Sequence, residues 1–266
     1  MRSVVALLRA AWLTAASYRV AMLLSFAALL ASIVPLWFVA GALQPVVAES
    51  IAQEGGQYFG FLLVGVAATY LLSSATAAIP SALAGSIGSG TFEALLVTRT
   101  PLPLLLAGMA AYPLTQSVLR ALVLLAGAAV AGVPIAWSSM PLAAAIAAVM
   151  LLAYLGVGLV AGALVLVFRT SGPLTTAVIA LSGLLGGVYY SVRVIPSWLQ
   201  DLSGAIPLTY ALRAARMLLL GGAAPGEVLA DLGMLALLAA TALAIGTLAF
   251  GAALRHARRA GTLSQY

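Results

Sequence analysis

The chain contains no cysteine, no lysine and a single histidine, and only 7% of its residues are charged. Without cysteine there are no disulfides and no thiolate metal sites. Without lysine the phosphate-binding pattern GxxxxGK[ST] cannot be completed, so the glycines between Gly85 and Gly90 are not a nucleotide loop. The histidine, His256, lies in the C-terminal tail, and no Asp or Glu falls inside a long apolar run. Ser-His, Asp-Asp and HExxH arrangements are therefore missing, and neither catalysis nor a metal site is expected in this chain. Water-soluble sequence is scarce too: 64% of the 266 residues are hydrophobic, which leaves no room for a folded soluble domain beside the apolar runs.

What is present is six apolar runs, Val20 to Leu43, Tyr58 to Leu83, Leu104 to Ala131, Leu142 to Phe168, Leu174 to Tyr190 and Leu232 to Leu254. A bilayer core needs about 20 apolar residues per helical crossing. Continuous runs, rather than period-two alternation, select helices over a barrel. The expectation is an all-α polytopic membrane protein with six transmembrane helices in one domain, 1–266. The first run ends in Ala40, Gly41 and Ala42, small residues like those at a signal cleavage site. It exceeds the roughly 7–15 apolar residues of a signal core, so it is expected to be retained.

Charge sets the expected orientation. With the N-terminus cytoplasmic, Arg2, Arg9, Arg19, Arg99, Arg169, Arg255, Arg258 and Arg259 lie inside, against Arg193, Arg213 and Arg216 outside. The positive-inside rule then places both termini in the cytoplasm. The net charge of +6 reports orientation and lipid headgroups rather than nucleic acid. A crossing at Ala205 to Leu220 is disfavoured, because Arg213 and Arg216 would each cost roughly 2.5–3.5 kcal/mol at mid-span. Ser191 to Gly222 is instead expected to dip into the external interface. In the leader, residues 1–19, Val4, Leu7, Leu8 and Trp12 cluster opposite Arg2 and Arg9, the pattern of an amphipathic helix on the cytoplasmic surface.

Between the second and third runs, GSIGSGTFEALLVTRTPLP reads as a short helix between glycine and proline breaks. Gly90 is its expected N-cap, Glu93 its third position, and Phe92, Leu95 and Leu96 its apolar face. GTFEALLVTRTPLPLLLAG resembles the coupling-helix loop of type 2 ATP-binding-cassette (ABC) exporter permeases. GGVYYSVRVIPSWLQDLSGAIPLTYALRAARMLLLGG, Gly186 to Gly222, is similar to the end of that family's fifth span and its external re-entrant helices. The tail RHARRAGTLSQY also resembles members with a basic terminus. Phe92 stands where Leu is usual, and Arg120 where a neutral residue is usual.

The resemblance implies a permease that pairs with a second permease, identical or different, in a bacterial or archaeal plasma membrane. It also implies two separate ATPase subunits that hold the ATP and magnesium, this chain carrying no cofactor. It places Thr91, Phe92, Glu93, Leu95, Leu96 and Arg99 at the ATPase contact, and Pro196, Trp198, Pro207, Tyr210 and Arg213 at an external gate. The cargo implied is a polysaccharide or lipid-linked glycan, or a hydrophobic drug or lipid; the sequence leaves both open.

Polar positions within the runs form two stripes. Tyr112, Gln116 and Arg120 recur every four residues on the third run, and Thr69, Ser73 and Thr76 line one side of the second. Each stripe fits either a translocation path or hydroxyl packing between helices. Gly183 and Gly187 make a GxxxG on the fifth run, and Tyr189, Tyr190 and Trp198 suit the outer headgroup level. An ion-coupled secondary transporter and a non-transporting membrane scaffold are the alternative readings; of ionisable mid-span residues, which a carrier needs, only Arg120 qualifies.

Overall fold

The computed structural model describes residues 19–91 and 101–260, and the regular elements among them are all helices. The expected interfacial leader falls outside the described residues except for Arg19. Helix α1, Arg19–Ala31, and α2, Ile33–Val47, follow one another with a break at Ser32. Pro35 has no N–H for the Ala31 carbonyl, so one rung is lost while Ser32 keeps helical dihedrals (φ −67°, ψ −19°). The Ser32 hydroxyl donates to the Leu29 carbonyl at 2.6 Å beside the gap. Leu23–Val47 is long and apolar enough to cross a membrane.

Four further helical stretches of crossing length follow, built on α3 (Tyr58–Gly88), α4 (Leu102–Val130), α5 (Met140–Phe168) and α9 (Leu229–Ala260). Helix α3 is largely buried and is the structural centre, packing against α2, α4 and α5. Helices α5 and α9 approach most closely where side chains vanish. A Cβ on Gly156 would collide with the backbone of Ala242, and one on Gly246 with the Gly156 carbonyl. Two residues further along α5, on another face, a Cβ on Gly158 would lie 2.8 Å from the Ala75 carbonyl of α3. Small residues let helix backbones touch in lipid, where apolar side chains gain little by leaving the tails. The GxxxG at Gly183 and Gly187 makes no such contact among the described residues: a Cβ on Gly183 would meet nothing within 4 Å, and Gly187 sits beyond the helix at φ +79°.

The fifth apolar run differs from its expected form. Leu174 to Tyr190 becomes α6, Gly172–Leu185, only 14 residues long. At 1.5 Å per residue it rises about 21 Å, short of the ~30 Å hydrocarbon layer. The chain then turns through Gly186 and continues as α7, Ser197–Ser203, and α8, Pro207–Leu219. Helix α8 packs on α5, α9 and α3. Its first turn is deep: Leu208 lies against Gly186, close to where Tyr154, mid-way along α5, donates to Ser182 Oγ at 2.9 Å. Its last turn reaches the helix ends, where the Leu219 carbonyl accepts from Ala136 N at 2.9 Å. Ser191 to Gly222 thus holds α8, a largely protein-covered half-length helix beside the half-length α6.

Because Gly156 has no room for a side chain, Gly156→Val should overpack the α5–α9 contact and cost about 1–3 kcal/mol. Thermal unfolding in detergent checks this. Gly233→Ala, at a helix position with open space around it, should leave the midpoint unchanged or raise it slightly.

Candidate translocation groove and capped end

The two polar stripes expected on separate helices meet in the structure. Thr69 and Ser73 of α3 and Gln116 and Arg120 of α4 line one open cavity of about 540 Å³, with Tyr70 and Tyr189 beside them. The stripes converge because Ser74 Oγ donates across the helix pair to the Pro113 carbonyl at 2.8 Å. Thr69 uses its hydroxyl on the Gly65 carbonyl of its own helix at 3.0 Å. Arg120 lies over the Tyr70 ring, its Cζ 5.8 Å from the centroid. Two stripe members stay out of the cavity. Thr76 is fully buried and donates to the Leu72 carbonyl at 2.8 Å, which makes it a packing residue. Tyr112 is half-buried on α4 and does not line the cavity.

At the end of the bundle where α3 begins, the chain buries a complete guanidinium. Arg216 of α8 is 2% exposed. Its Nη1 donates to Gly187 O at 2.8 Å and to Glu54 Oε2 at 3.3 Å; Nη2 donates to the carbonyls of Phe61 and Val188, each at 3.0 Å. The Phe61 ring closes one face, its centroid 3.3 Å from Cζ. Glu54 itself is buried and accepts from Ser191 Oγ at 3.3 Å. Helix α8 lies outside the five crossing-length stretches. Burial lowers the Arg216 pKa to about 10 while Glu54 pulls it back up, so the group stays charged at neutral pH.

Local sequence explains how Glu54 arrives there. Gly55 takes φ +97°, and a Cβ on it would sit 2.6 Å from Leu220 Cβ. Gln44 fixes the following turn, donating to Gly56 O and accepting from Tyr58 N, both at 2.7 Å. Gly65 completes the clamp, since a side chain there would meet Val188 O at 2.5 Å and Arg216 Nη2 at 2.9 Å.

The residues expected at an external gate sit around this clamp. Pro196 is the N-cap of α7, and Pro207 opens α8, where its missing N–H costs nothing. Trp198 is 63% exposed, in keeping with a rim position. Tyr210 donates to the Gly204 carbonyl at 2.9 Å and ties α8 to the end of α7. Arg213 pairs with Asp231 at the start of α9, with Nε to Oδ2 at 2.7 Å. The Asp231 hydrogen bond raises the Arg213 pKa against partial desolvation. With Arg213 42% exposed, this pair contributes at most about 1 kcal/mol. At the opposite end Thr91 is exposed, its hydroxyl 2.8 Å from Ser89 Oγ; Phe92, Glu93, Leu95, Leu96 and Arg99 lie outside the described residues.

Arg216, Glu54, Gln44 and Asp231 do not stand out in the sequence reading, which counts Arg216 only as a charge unfit for lipid. Scarcity was the available signal: with six acidic residues in the chain, one placed four positions before an apolar span has few reasons to be there. Removing one partner strands a buried charge, so Glu54→Leu or Arg216→Met should destabilise by about 3–5 kcal/mol. The double variant Glu54→Leu/Arg216→Met should recover part of that loss. Unfolding midpoints of the four proteins, read as a double-mutant cycle, measure the coupling.

No curated protein matches the chain. The family model described as ABC-2 type transporter matches residues 2–220, from the leader through the end of α8. With an all-helical body carrying five crossing-length stretches, the chain belongs to the ABC-2 type transporter family and is a membrane permease of an ABC transporter.

Proposed function

We propose that the chain is the membrane-spanning half of an ATP-driven exporter, working as a dimer of permeases on two separate ATPase subunits. The observation that carries this is the family match over residues 2–220. The lysine-free sequence supports it, because a Walker lysine must then be supplied by another chain. In this reading both termini face the cytoplasm of a bacterial or archaeal cell, and the chain crosses six times, the fifth crossing being made by α6 together with the turn that follows it. The Glu54 end, capped by α7 and α8, is external.

Thr91 to Arg99 would dock into the ATPase, with Leu95 and Leu96 as the apolar contact. Closure of the ATPase pair then moves these segments as rigid bodies and opens a path between the permeases. The α3–α4 groove is part of that path, and Pro196, Trp198, Pro207, Tyr210 and Arg213 belong to the gate that closes it. The cargo is an amphipathic or glycan-bearing molecule: a polysaccharide or lipid-linked glycan, or a hydrophobic drug or lipid.

The test is reconstitution with the partner ATPase in proteoliposomes. Leu95→Glu/Leu96→Glu should abolish stimulation of ATP hydrolysis by the permease while insertion and thermal stability stay at parental values. Stimulation equal to the parent would remove the docking role from this segment.

A further inference from the structure

The three arginines of the described helices that lie near the bilayer-spanning core meet three different fates. Arg216 is met by Glu54 and three carbonyls, and Arg213 by Asp231. Arg120 has no acidic partner among the described residues, only the face of Tyr70. It lies ten residues before the end of α4, about 15 Å inward by helical rise. A guanidinium at that depth is expensive unless its donors are met.

The groove it faces is unusual in what it leaves unused. Arg120, the Gln116 amide, the Ser73 hydroxyl and the Tyr70 hydroxyl all line the cavity. None of them makes a side-chain hydrogen bond among the described residues. These groups are not buried orphans either, because the one buried side-chain polar atom without a partner among the described residues is Gln57 Oε1. They are donors that open onto a cavity. Thr69 and Ser117 have already spent their protons on backbone carbonyls of Gly65 and Leu114. No carboxylate lines the cavity to oppose a negative ligand. One fixed positive charge, neutral donors beside it and no acid make an anion site, and a planar guanidinium suits an oxyanion with several oxygens.

We infer that the α3–α4 groove binds the phosphate group of an amphiphile, with Arg120 as the charge contact and Gln116, Ser73 and Tyr70 as hydrogen-bond donors. The inference rests on the groove being a ligand-facing part of the permease, and it narrows the cargo or a bound lipid to phosphate-bearing molecules. Tyr189, from the segment after α6, lines the same cavity and leaves its carbonyl to the Tyr58 hydroxyl at 2.9 Å. The groove is thereby joined to the capped end, from which a headgroup would leave.

The test is lipid binding to the purified full chain, followed by native mass spectrometry, with phosphatidylglycerol and the phosphate-free diacylglycerol of matched acyl chains as probes. The parent should bind phosphatidylglycerol more tightly. Arg120→Gln should weaken that binding about tenfold or more, Arg120→Lys should weaken it less, and Gln116→Leu should give an intermediate loss. Inorganic phosphate identifies the source of the ligand. Competition by it would mean that the phosphate alone is recognised, as on a carried substrate; no competition, with the Arg120 dependence intact, would mean a headgroup held with its chains. Equal affinity of the parent for the two lipids, or an Arg120→Gln variant that binds phosphatidylglycerol like the parent, would overturn the inference. Should Arg120→Gln not fold, Gln116→Leu takes its place, and parental affinity there overturns it equally. The assay contains no ATPase, so its failure leaves the transport reading standing. Loss of ATP-driven transport with this binding intact would do the reverse.

Discussion

A guanidinium sealed from water has to find its solvation within the protein, and at Arg216 that requirement organises one whole end of the molecule. Four separate pieces of chain converge on it: Glu54 from the turn after α2, Phe61 from the first turns of α3, Gly187 and Val188 from the turn after α6, and α8 itself. None of these could move independently without stranding a charge or a carbonyl, each worth several kcal/mol in a medium of low polarity. The glycines nearby follow from the same constraint. Gly65 leaves room for the Val188 carbonyl, and Gly55 turns the chain so that Glu54 arrives on the correct side of Leu220.

The clamp also accounts for two half-length helices where one crossing was expected. Helix α6 stops at Leu185, and the exposed backbone of the turn beyond it would be costly in lipid. It is tolerated because Gly187 and Val188 give their carbonyls to Arg216 and α8 covers the turn. Irregular backbone at membrane depth persists where protein rather than lipid surrounds it. The amphipathic pattern of α8 fits that setting. Leu208, Leu212 and Leu219 are buried on the protein side, while Arg213 sits at the edge where Asp231 can reach it.

Much of this was legible in the sequence, and the exceptions share a cause. The apolar runs coincide with α1 and α2 taken together, α3, α4, α5 and α9 to within about six residues at each end, because a crossing helix that meets lipid or protein on every side keeps an unbroken apolar signature. The periodicity of Gln116 and Arg120 places them on one face, and the structure joins that face to Thr69 and Ser73. Thr76 belongs to the same stripe by spacing yet is buried against Gly158 of α5, a distinction that depends on the neighbouring helix. The Arg216 clamp was not legible because a hydropathy cost is assigned to one residue at a time, whereas its partner Glu54 is 162 residues away in sequence. The close approach at Gly156 and Gly246 was hidden for a similar reason: a lone glycine says nothing about which backbone will press against it.

Combined with the proposed orientation, the burial of α8 makes it a protein-covered helix at the external face of the permease. A chain without native cysteine allows a direct measurement. Single cysteines at Ala214, buried in α8, and at Ala224, exposed just beyond it, can be treated in intact cells with a membrane-impermeant maleimide. The account predicts rapid labelling at Ala224→Cys and protection at Ala214→Cys until the protein is unfolded. Equal labelling of both, or labelling at Ala224→Cys only after the membrane is permeabilised, would contradict it.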